Sequence, residues 1–147
     1  MAINYRNRAR FTAGADIDLI FTAAADLSAK QYYFVAAGSI VGEVAAATGA
    51  SNPVPIGVLQ NAPGAAGRAR VRVFGVTLLT GCAGTCDIGY GRFVRSSSVG
   101  AGEVPASAGG AVVLGRWLGA SVATNASGRA DAFVNCMGFA ACSVSGS

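Results

Sequence analysis

The sequence predicts an all-β protein, a small β-barrel or sandwich built from two similar β units and preceded by an extended N-terminal arm. Three observations predict this fold: short runs of alternating or β-branched residues, clusters of Gly, Pro, Asn and Ser between these runs, and an internal repeat. The helical pattern of apolar residues at i, i+3, i+4 and i+7 is almost absent.

Six runs are predicted to form strands because they are rich in β-branched and aromatic residues. These runs are residues 32–36, 54–59, 69–79, 90–95, 111–118 and 131–137. Turn-forming clusters separate them at residues 48–53, 61–67, 80–91, 97–110 and 124–128.

The internal repeat consists of four pairs of short matching segments. Residues 33–35 (YFV) match 92–94 (RFV), 41–44 (VGEV) match 101–104 (AGEV), 55–59 (PIGVL) match 113–118 (VLGRWL), and 66–69 (AGRA) match 127–130 (SGRA). The offsets are 59, 60, 58 and 61 residues, so two units at about 30–75 and 89–138 are predicted to be copies of one β motif. Duplication of such a motif closes a small barrel, and closure removes exposed strand edges.

The predicted domain organisation is a single domain with short extensions. Residues 1–20 are expected to form the arm and the first strand, residues 21–138 one β domain, and residues 139–147 a C-terminal tail. Leu, Ile, Val and Phe make up only about a quarter of the 147 residues, whereas Ala and Gly make up about a third. Small side chains bury little apolar area, so we expect the protein to depend on partner subunits and predict a homotrimer.

Composition excludes several classes of function. The chain has no His, which removes Ser-His-Asp and Cys-His catalysis and His-ligated metals. Asp16 and Asp18 share one strand face, yet no third acid completes a metal site. We therefore expect no enzyme activity, no cofactor and no metal.

Charge and hydropathy describe the partners that are expected. The net charge of +4 is below that of the dense basic stripe of nucleic-acid-binding proteins, so no nucleic-acid partner is predicted. Gly, Pro or a charge interrupts every apolar run before the roughly 18 residues that a transmembrane span needs. The first 20 residues lack the apolar core of a secretory signal, and we expect no membrane partner.

Two rows of alternating arginines are candidate contact surfaces, because residues two apart in an extended chain project to one face. The row Arg68, Arg70 and Arg72 is interpreted as the solvent-exposed face of a strand. The row Arg6, Arg8 and Arg10, followed by Phe11, lies in the arm. This arm is predicted to dock on a partner protein and become ordered there, while a solvated tail and a nucleic-acid-binding arm are the alternatives.

The four cysteines are candidates for disulfides or for buried thiols. They occur as Cys82-x3-Cys86 and Cys136-x5-Cys142, which fits neither a zinc ribbon nor a redox C-x2-C motif. Four cysteines allow three pairings, and all three remain open from the sequence.

The order of elements resembles that of the small capsid decoration, or cement, proteins of tailed bacteriophages. Residues 22–30 (TAAADLSAK) are similar to the early segment of that family, with Lys30 where Gly is common. Residues 56–62 (IGVLQNA), 67–76 (GRARVRVFGV), 90–94 (YGRFV) and 113–118 (VLGRWL) are similar to its later motifs. The resemblance covers about residues 20–138, but the cysteines and the arginine arm lie outside its pattern.

The resemblance implies a non-enzymatic virion protein on the outer surface of the capsid, commonly a trimer, whose partner is the major capsid protein. We expect it to stabilise the shell by bridging capsid subunits through Arg6, Arg8, Arg10 and Phe11. Phe93, Trp117 and Phe133 are predicted subunit contacts, since their burial adds the apolar area that a thin core lacks. The alternative is a secreted or surface-layer module that recognises glycans through Tyr32, Tyr33 or Trp117.

Overall fold

The all-β prediction is confirmed. The structure, a computed structural model, describes residues 16–48, 54–82, 88–105, 112–119 and 128–137, and these ranges contain nine strands and no helix. The strands are β1 (Ile17–Ala23), β2 (Phe34–Ala37), β3 (Glu43–Ala46), β4 (Gly57–Leu59), β5 (Arg68–Thr80), β6 (Phe93–Ser96), β7 (Gly102–Glu103), β8 (Gly115–Trp117) and β9 (Arg129–Asn135).

The first unit is a closed barrel of five strands in the order β1-β3-β2-β4-β5. β1 runs parallel to β3, with Thr22 opposite Glu43, and the other neighbouring strands are antiparallel. β5 closes the barrel because its first half, from Arg68 to Phe74, pairs back to β1. Closure leaves the barrel without a free strand edge.

The second unit uses the other half of the same long strand. Residues 74–80 of β5 pair with β9, and β8, β6 and β7 follow in order. Directly after β5, Gly81 forms a parallel bridge with Gly102 in β7. This bridge links β7, the last strand of the second unit, to the end of β5, its first strand. The 13 residues of β5 therefore belong to both units.

The two units are similar in pairing as well as in strand order, as the sequence predicts. Val35 lies opposite Gly57 in the first unit and Val94 lies opposite Gly115 in the second, at offsets of 59 and 58 residues. The Gly81–Gly102 bridge repeats the parallel pairing of β1 with β3.

One part of the predicted alignment is wrong. The sequence matches residues 41–44 (VGEV) with 101–104 (AGEV), which equates Val44 with Val104. In the structure Val44 lies opposite Ala37. Ser96 is the residue of the second unit that is equivalent to Ala37, and it lies opposite Gly102. Val44 is therefore equivalent to Gly102, at an offset of 58 residues rather than 60. The connection at 97–101 is one residue shorter than that at 38–43, and a shift of two residues still preserves the inward and outward faces.

Equivalent glycines allow the strands of each unit to approach closely. A Cβ atom on Gly57 would lie 2.5 Å from the carbonyl oxygen of Arg72, and one on Gly115 would collide with the carbonyl oxygen of Phe133. Arg72 and Phe133 are themselves equivalent, opposite the residues that follow the two glycines. The repeated Gly thus reflects one backbone contact that is made twice.

We predict that Gly115→Ala lowers the free energy of unfolding by about 2 kcal/mol or more, because backbone rather than a flexible side chain must move. Urea unfolding followed by tryptophan fluorescence measures the change. Gly64→Ala is the matched control: a Cβ there meets nothing within 4 Å, and the effect should stay within about 0.5 kcal/mol. Equal stability of the two variants would contradict the close approach.

The apolar core consists of two clusters. One fills the first barrel around Leu27, Val35, Leu59 and Val71. The other lies between the units and includes Phe34 and Val58 from the first unit. Along β5 burial alternates as predicted for residues 68–73, with Ala69, Val71 and Val73 inside and Arg68, Arg70 and Arg72 on the opposite face.

Trp117 belongs to this second cluster, and the prediction that it contacts another subunit is wrong. Its side chain is 0% exposed, so its own chain already encloses it. The reason is the register of β8, where Arg116 points outward and Trp117 therefore points inward. The same burial removes Trp117 from the residues that the glycan alternative needs.

A charged cluster holds β1 against β5 where β5 passes from one unit to the other. The Nε and Nη2 atoms of Arg72 donate hydrogen bonds to the Asp18 carboxylate at 2.7 and 3.1 Å, and Nη1 lies 3.0 Å from Asp16 Oδ2. Asp16 Oδ1 also accepts a hydrogen bond from the Val76 amide at 3.0 Å. Burial opposes the charge of Arg72, but the hydrogen bond and charge of Asp18 and the charge of Asp16 outweigh it and raise the pKa.

Arg72→Met should lower the free energy of unfolding by about 2–3 kcal/mol, because it leaves two half-buried carboxylates without their cation. The control is Arg70→Met: Arg70 is 54% exposed and lies 3.6 Å from Asp18, so its loss should cost no more than about 0.5 kcal/mol. Thermal unfolding at low and high salt compares the two variants. An Arg72 variant as stable as the Arg70 variant would show that the cluster does not hold the strands.

Candidate docking surfaces

The first candidate surface is an apolar cavity of about 540 Å³ at one end of the first barrel, which we call the barrel mouth. Its apolar lining comes from β1, the β2–β3 turn, the approach to β4 and the residues just after β9. The main lining residues are Leu19, Phe21, Ile40, Val41, Ile56 and Met137.

The turn between β2 and β3 places two large apolar side chains in solvent. Ile40 is 65% exposed and Val41 is 102% exposed. The turn is fixed by hydrogen bonds from the Gly38 amide to the Glu43 carbonyl and from the Glu43 amide to the Ile40 carbonyl, and by the positive φ of Gly42. Exposed apolar residues beside an apolar cavity are typical of protein-binding surfaces.

Sequence reasoning missed the barrel mouth because residues 38–42 form a turn flanked by glycines. The signal that was available is the pair Ile40 and Val41 between Gly38 and Gly42, since turn tips are usually polar. Leu19 supports the same conclusion, as it lies on the inward-facing side of β1 yet is 46% exposed.

The second candidate surface is a row of side chains across the outside of the second unit, which we call the outer row. It consists of Phe93, Arg116, Phe133 and Val76, which lie directly opposite one another on β6, β8, β9 and β5. The Arg116 guanidinium lies 4.3 Å from the centre of the Phe93 ring, and Phe93 is 40% exposed. Phe133 packs edge-to-face on Phe74, with ring centres 5.2 Å apart.

The outer row brings together two of the three predicted subunit-contact residues, Phe93 and Phe133, and leaves out Trp117. Residues that lie opposite each other on neighbouring strands share a face, so one partner surface can touch both phenylalanines. That they contact another copy stays a prediction.

The tyrosines proposed for glycan binding are already covered by cations. The Arg129 guanidinium lies 4.8 Å from the centre of the Tyr32 ring, and Lys30 Nζ lies 4.8 Å from that of Tyr33. Both tyrosines are half-buried. A sugar that stacks on the cation-bearing face of either ring would have to displace a favourable cation–π contact.

The cysteines divide into two states. Cys82 is disulfide-bonded and Cys136 is a free thiol, so the pairing of these two with each other does not occur. Burial raises the pKa of Cys136 to about 12, which keeps this thiol neutral and unreactive at physiological pH. Cys86 and Cys142 lie outside the described residues.

The remaining site predictions concern charged residues. Arg6, Arg8, Arg10 and Phe11 lie outside the described residues, so their contacts stay a prediction. Asp16 and Asp18 are engaged by Arg72, and the described residues contain no group of three potential metal ligands. No helix in the described ranges is long and apolar enough to cross a bilayer.

No protein-family model matches the chain, and no curated protein matches it in sequence. Among solved structures, the chain is similar to the N base of the head fiber protein gp8.5 of bacteriophage phi29, with a TM-score of 0.53 and 14% sequence identity. The alignment covers 82% of this chain and 95% of the phi29 chain. At this identity the likeness establishes a shared fold, which extends over most of both chains.

Proposed function

We propose that the protein is a structural, non-enzymatic component of a phage virion. It binds the outside of the capsid and stabilises the shell by bridging subunits of the major capsid protein. The observation that carries this proposal is the shared fold with the N base of a phage head fiber, which spans 95% of that chain. A domain of this fold serves on a phage head, and the resemblance of the sequence to decoration proteins supports the same location.

The surface chemistry supports a protein partner. Ile40 and Val41 at the barrel mouth and Phe93 on the outer row expose apolar area of the kind found at protein-binding surfaces. A capsid presents many identical sites, so modest contacts that bridge several subunits give strong binding together.

The arginine arm provides the electrostatic part of this binding. Arg6, Arg8 and Arg10 share one face if the arm is extended, and guanidinium groups pair well with surface carboxylates. Exposed ion pairs contribute about 0–1 kcal/mol each, so the arm adjusts the affinity rather than creating it.

Capsid binding tests the proposal directly. Protein added to purified expanded capsids should give ordered density on the outer surface in electron microscopy. Replacing Arg6, Arg8 and Arg10 by Ala should lower the occupancy several-fold, and the loss should be steepest at low salt because screening already weakens these pairs at high salt.

The matched control removes three exposed arginines elsewhere: Arg68→Ala, Arg70→Ala and Arg92→Ala lower the net charge equally. This variant should keep more occupancy than the arm variant. Equal losses would assign the effect to overall charge. Absence of ordered density with the parent protein would refute capsid binding itself.

The proposed oligomer is a homotrimer that buries the outer row. In the first unit the equivalent row is Phe34, Val58 and Arg72, and its two apolar members are 0% exposed because the second unit packs on them. In the second unit Phe93 and its neighbours receive no such cover from the described residues of the chain. A second copy supplies the cover that the duplication leaves out.

Phe93→Ser should weaken self-association by at least tenfold, because it removes the most exposed aromatic ring of the outer row. Sedimentation over a range of concentrations measures this change. Tyr90→Ser is the control, since Tyr90 is 76% exposed but lies outside the row. A parent protein that is monomeric at all concentrations and on the particle, or equal weakening by both variants, would contradict the trimer contact.

The glycan-binding alternative has no supporting observation in the structure. Trp117 is buried, and the rings of Tyr32 and Tyr33 are engaged by Arg129 and Lys30. We therefore propose only the virion function.

A further inference from the structure

The barrel mouth presents more apolar surface than the described part of the chain covers. Leu19, Ile40, Val41 and Met137 are each at least 46% exposed around the cavity of about 540 Å³. The cavity is large enough for several side chains, including an aromatic ring.

The sequence just before β1 has the pattern of a segment that fits such a cavity. Apolar and polar residues alternate from residue 3 to residue 19, with Asn7 as the one polar residue on the apolar face. The apolar face holds Ile3, Tyr5, Ala9, Phe11, Ala13, Ala15, Ile17 and Leu19. The opposite face holds Asn4, Arg6, Arg8, Arg10, Thr12, Gly14, Asp16 and Asp18. The pattern therefore favours an extended strand with one apolar side.

The alternation also indicates which molecule the segment meets. Residues 12–16 contain one Gly but no Asn-Gly or Asp-Gly pair, and the alternation passes through them without a shift. Phe11 lies six residues before Ile17, which in an extended chain is about 20 Å beyond the start of β1. If the arm stays extended, a side chain at that distance lies beyond its own barrel and within reach of a neighbour.

We propose that the barrel mouth binds the apolar face of residues 3–11 from a second copy of the protein. Phe11 enters the cavity between Leu19 and the Ile40–Val41 turn of the neighbour, while Tyr5 lies about 20 Å further along the extended arm. The arginines then lie on the side of the arm that faces away from the mouth, where they remain available to a capsid surface. This exchange of arms differs from the outer-row contact and does not rest on capsid binding.

Disulfide trapping between two separate variants tests the proposal. One variant carries Phe11→Cys and the other carries Val41→Cys. Both also carry Cys136→Ala and Ala in place of whichever of Cys86 and Cys142 does not pair with Cys82, and their tags differ in mass. Val41 is fully exposed, so its replacement leaves the fold intact. After mixing and mild oxidation, we expect a covalent product that contains one chain of each kind, at least fivefold above the product from either variant alone.

The control pairs Phe11→Cys with Ile20→Cys, because Ile20 is 52% exposed but lies on the other face of β1. This pair should give only the background yield. Three results would overturn the proposal: equal yields from the Val41 and Ile20 pairs, no product from the Val41 pair, or a product found only within a chain that carries both Phe11→Cys and Val41→Cys. The last result would show that each arm folds back on its own barrel.

A second measurement separates this proposal from the proposed function. In a Phe93→Ser background, where the outer-row contact is weakened, Ile40→Asp with Val41→Asp should lower the mass of the oligomer in light scattering, whereas Ile20→Asp should not. If the mouth variant loses capsid occupancy but keeps its oligomeric mass, the mouth binds the shell and the exchange of arms is refuted. If capsid binding fails for the parent protein but the cross-link forms, the exchange stands and the virion function falls.

Discussion

The passage of β5 from one unit to the other beside Gly75 is the constraint on which the rest of the structure depends. The pairing of β5 changes from β1 to β9 at Phe74, and the next residue, Gly75, has a φ of +120°, a conformation that other residues rarely adopt. Asp16 packs directly on Gly75, and Arg72 joins Asp16 to Asp18. Since the same contacts fix the start of β1, they also set the position of Leu19 and therefore one wall of the barrel mouth.

Close backbone packing explains how a chain so rich in Ala and Gly folds into two units. Gly57 and Gly115 bring neighbouring strands nearer than any side chain allows, so small residues such as Ala69 and Ala132 are enough to fill the space behind them. Trp117 fills the wider space between the units. In such a chain a group of exposed large side chains, such as Leu19, Ile40 and Val41 at the barrel mouth, is more informative than any one of them alone.

The sequence predicts the strands and their duplication well because both depend on local patterns, namely alternation and repeated letters. The sequence predicts equivalent positions less well where different residue types adopt the same backbone conformation. Tyr32 and Gly91 are equivalent turn residues with φ of 65° and 80°, yet no pattern relates a tyrosine to a glycine. The matching letters around Val44 and Val104 give the wrong offset for the same reason. The barrel mouth and the inward position of Trp117 depend on long-range register, which local patterns do not contain.

Duplication followed by divergence gives this fold two different surfaces from one motif. The outer row of the second unit corresponds to a row in the first unit that is buried between the units. The second unit covers the row of the first, but the described part of the chain has no third unit to cover the row of the second, which is therefore exposed. The barrel mouth has another origin, because the tip of the β2–β3 turn carries Ile40 and Val41 where the β6–β7 turn carries Ser98 and Val99. Two unlike apolar surfaces on one small chain favour contacts with two neighbours at once. If both proposed contacts form, each copy meets two neighbours, and many modest contacts then act together.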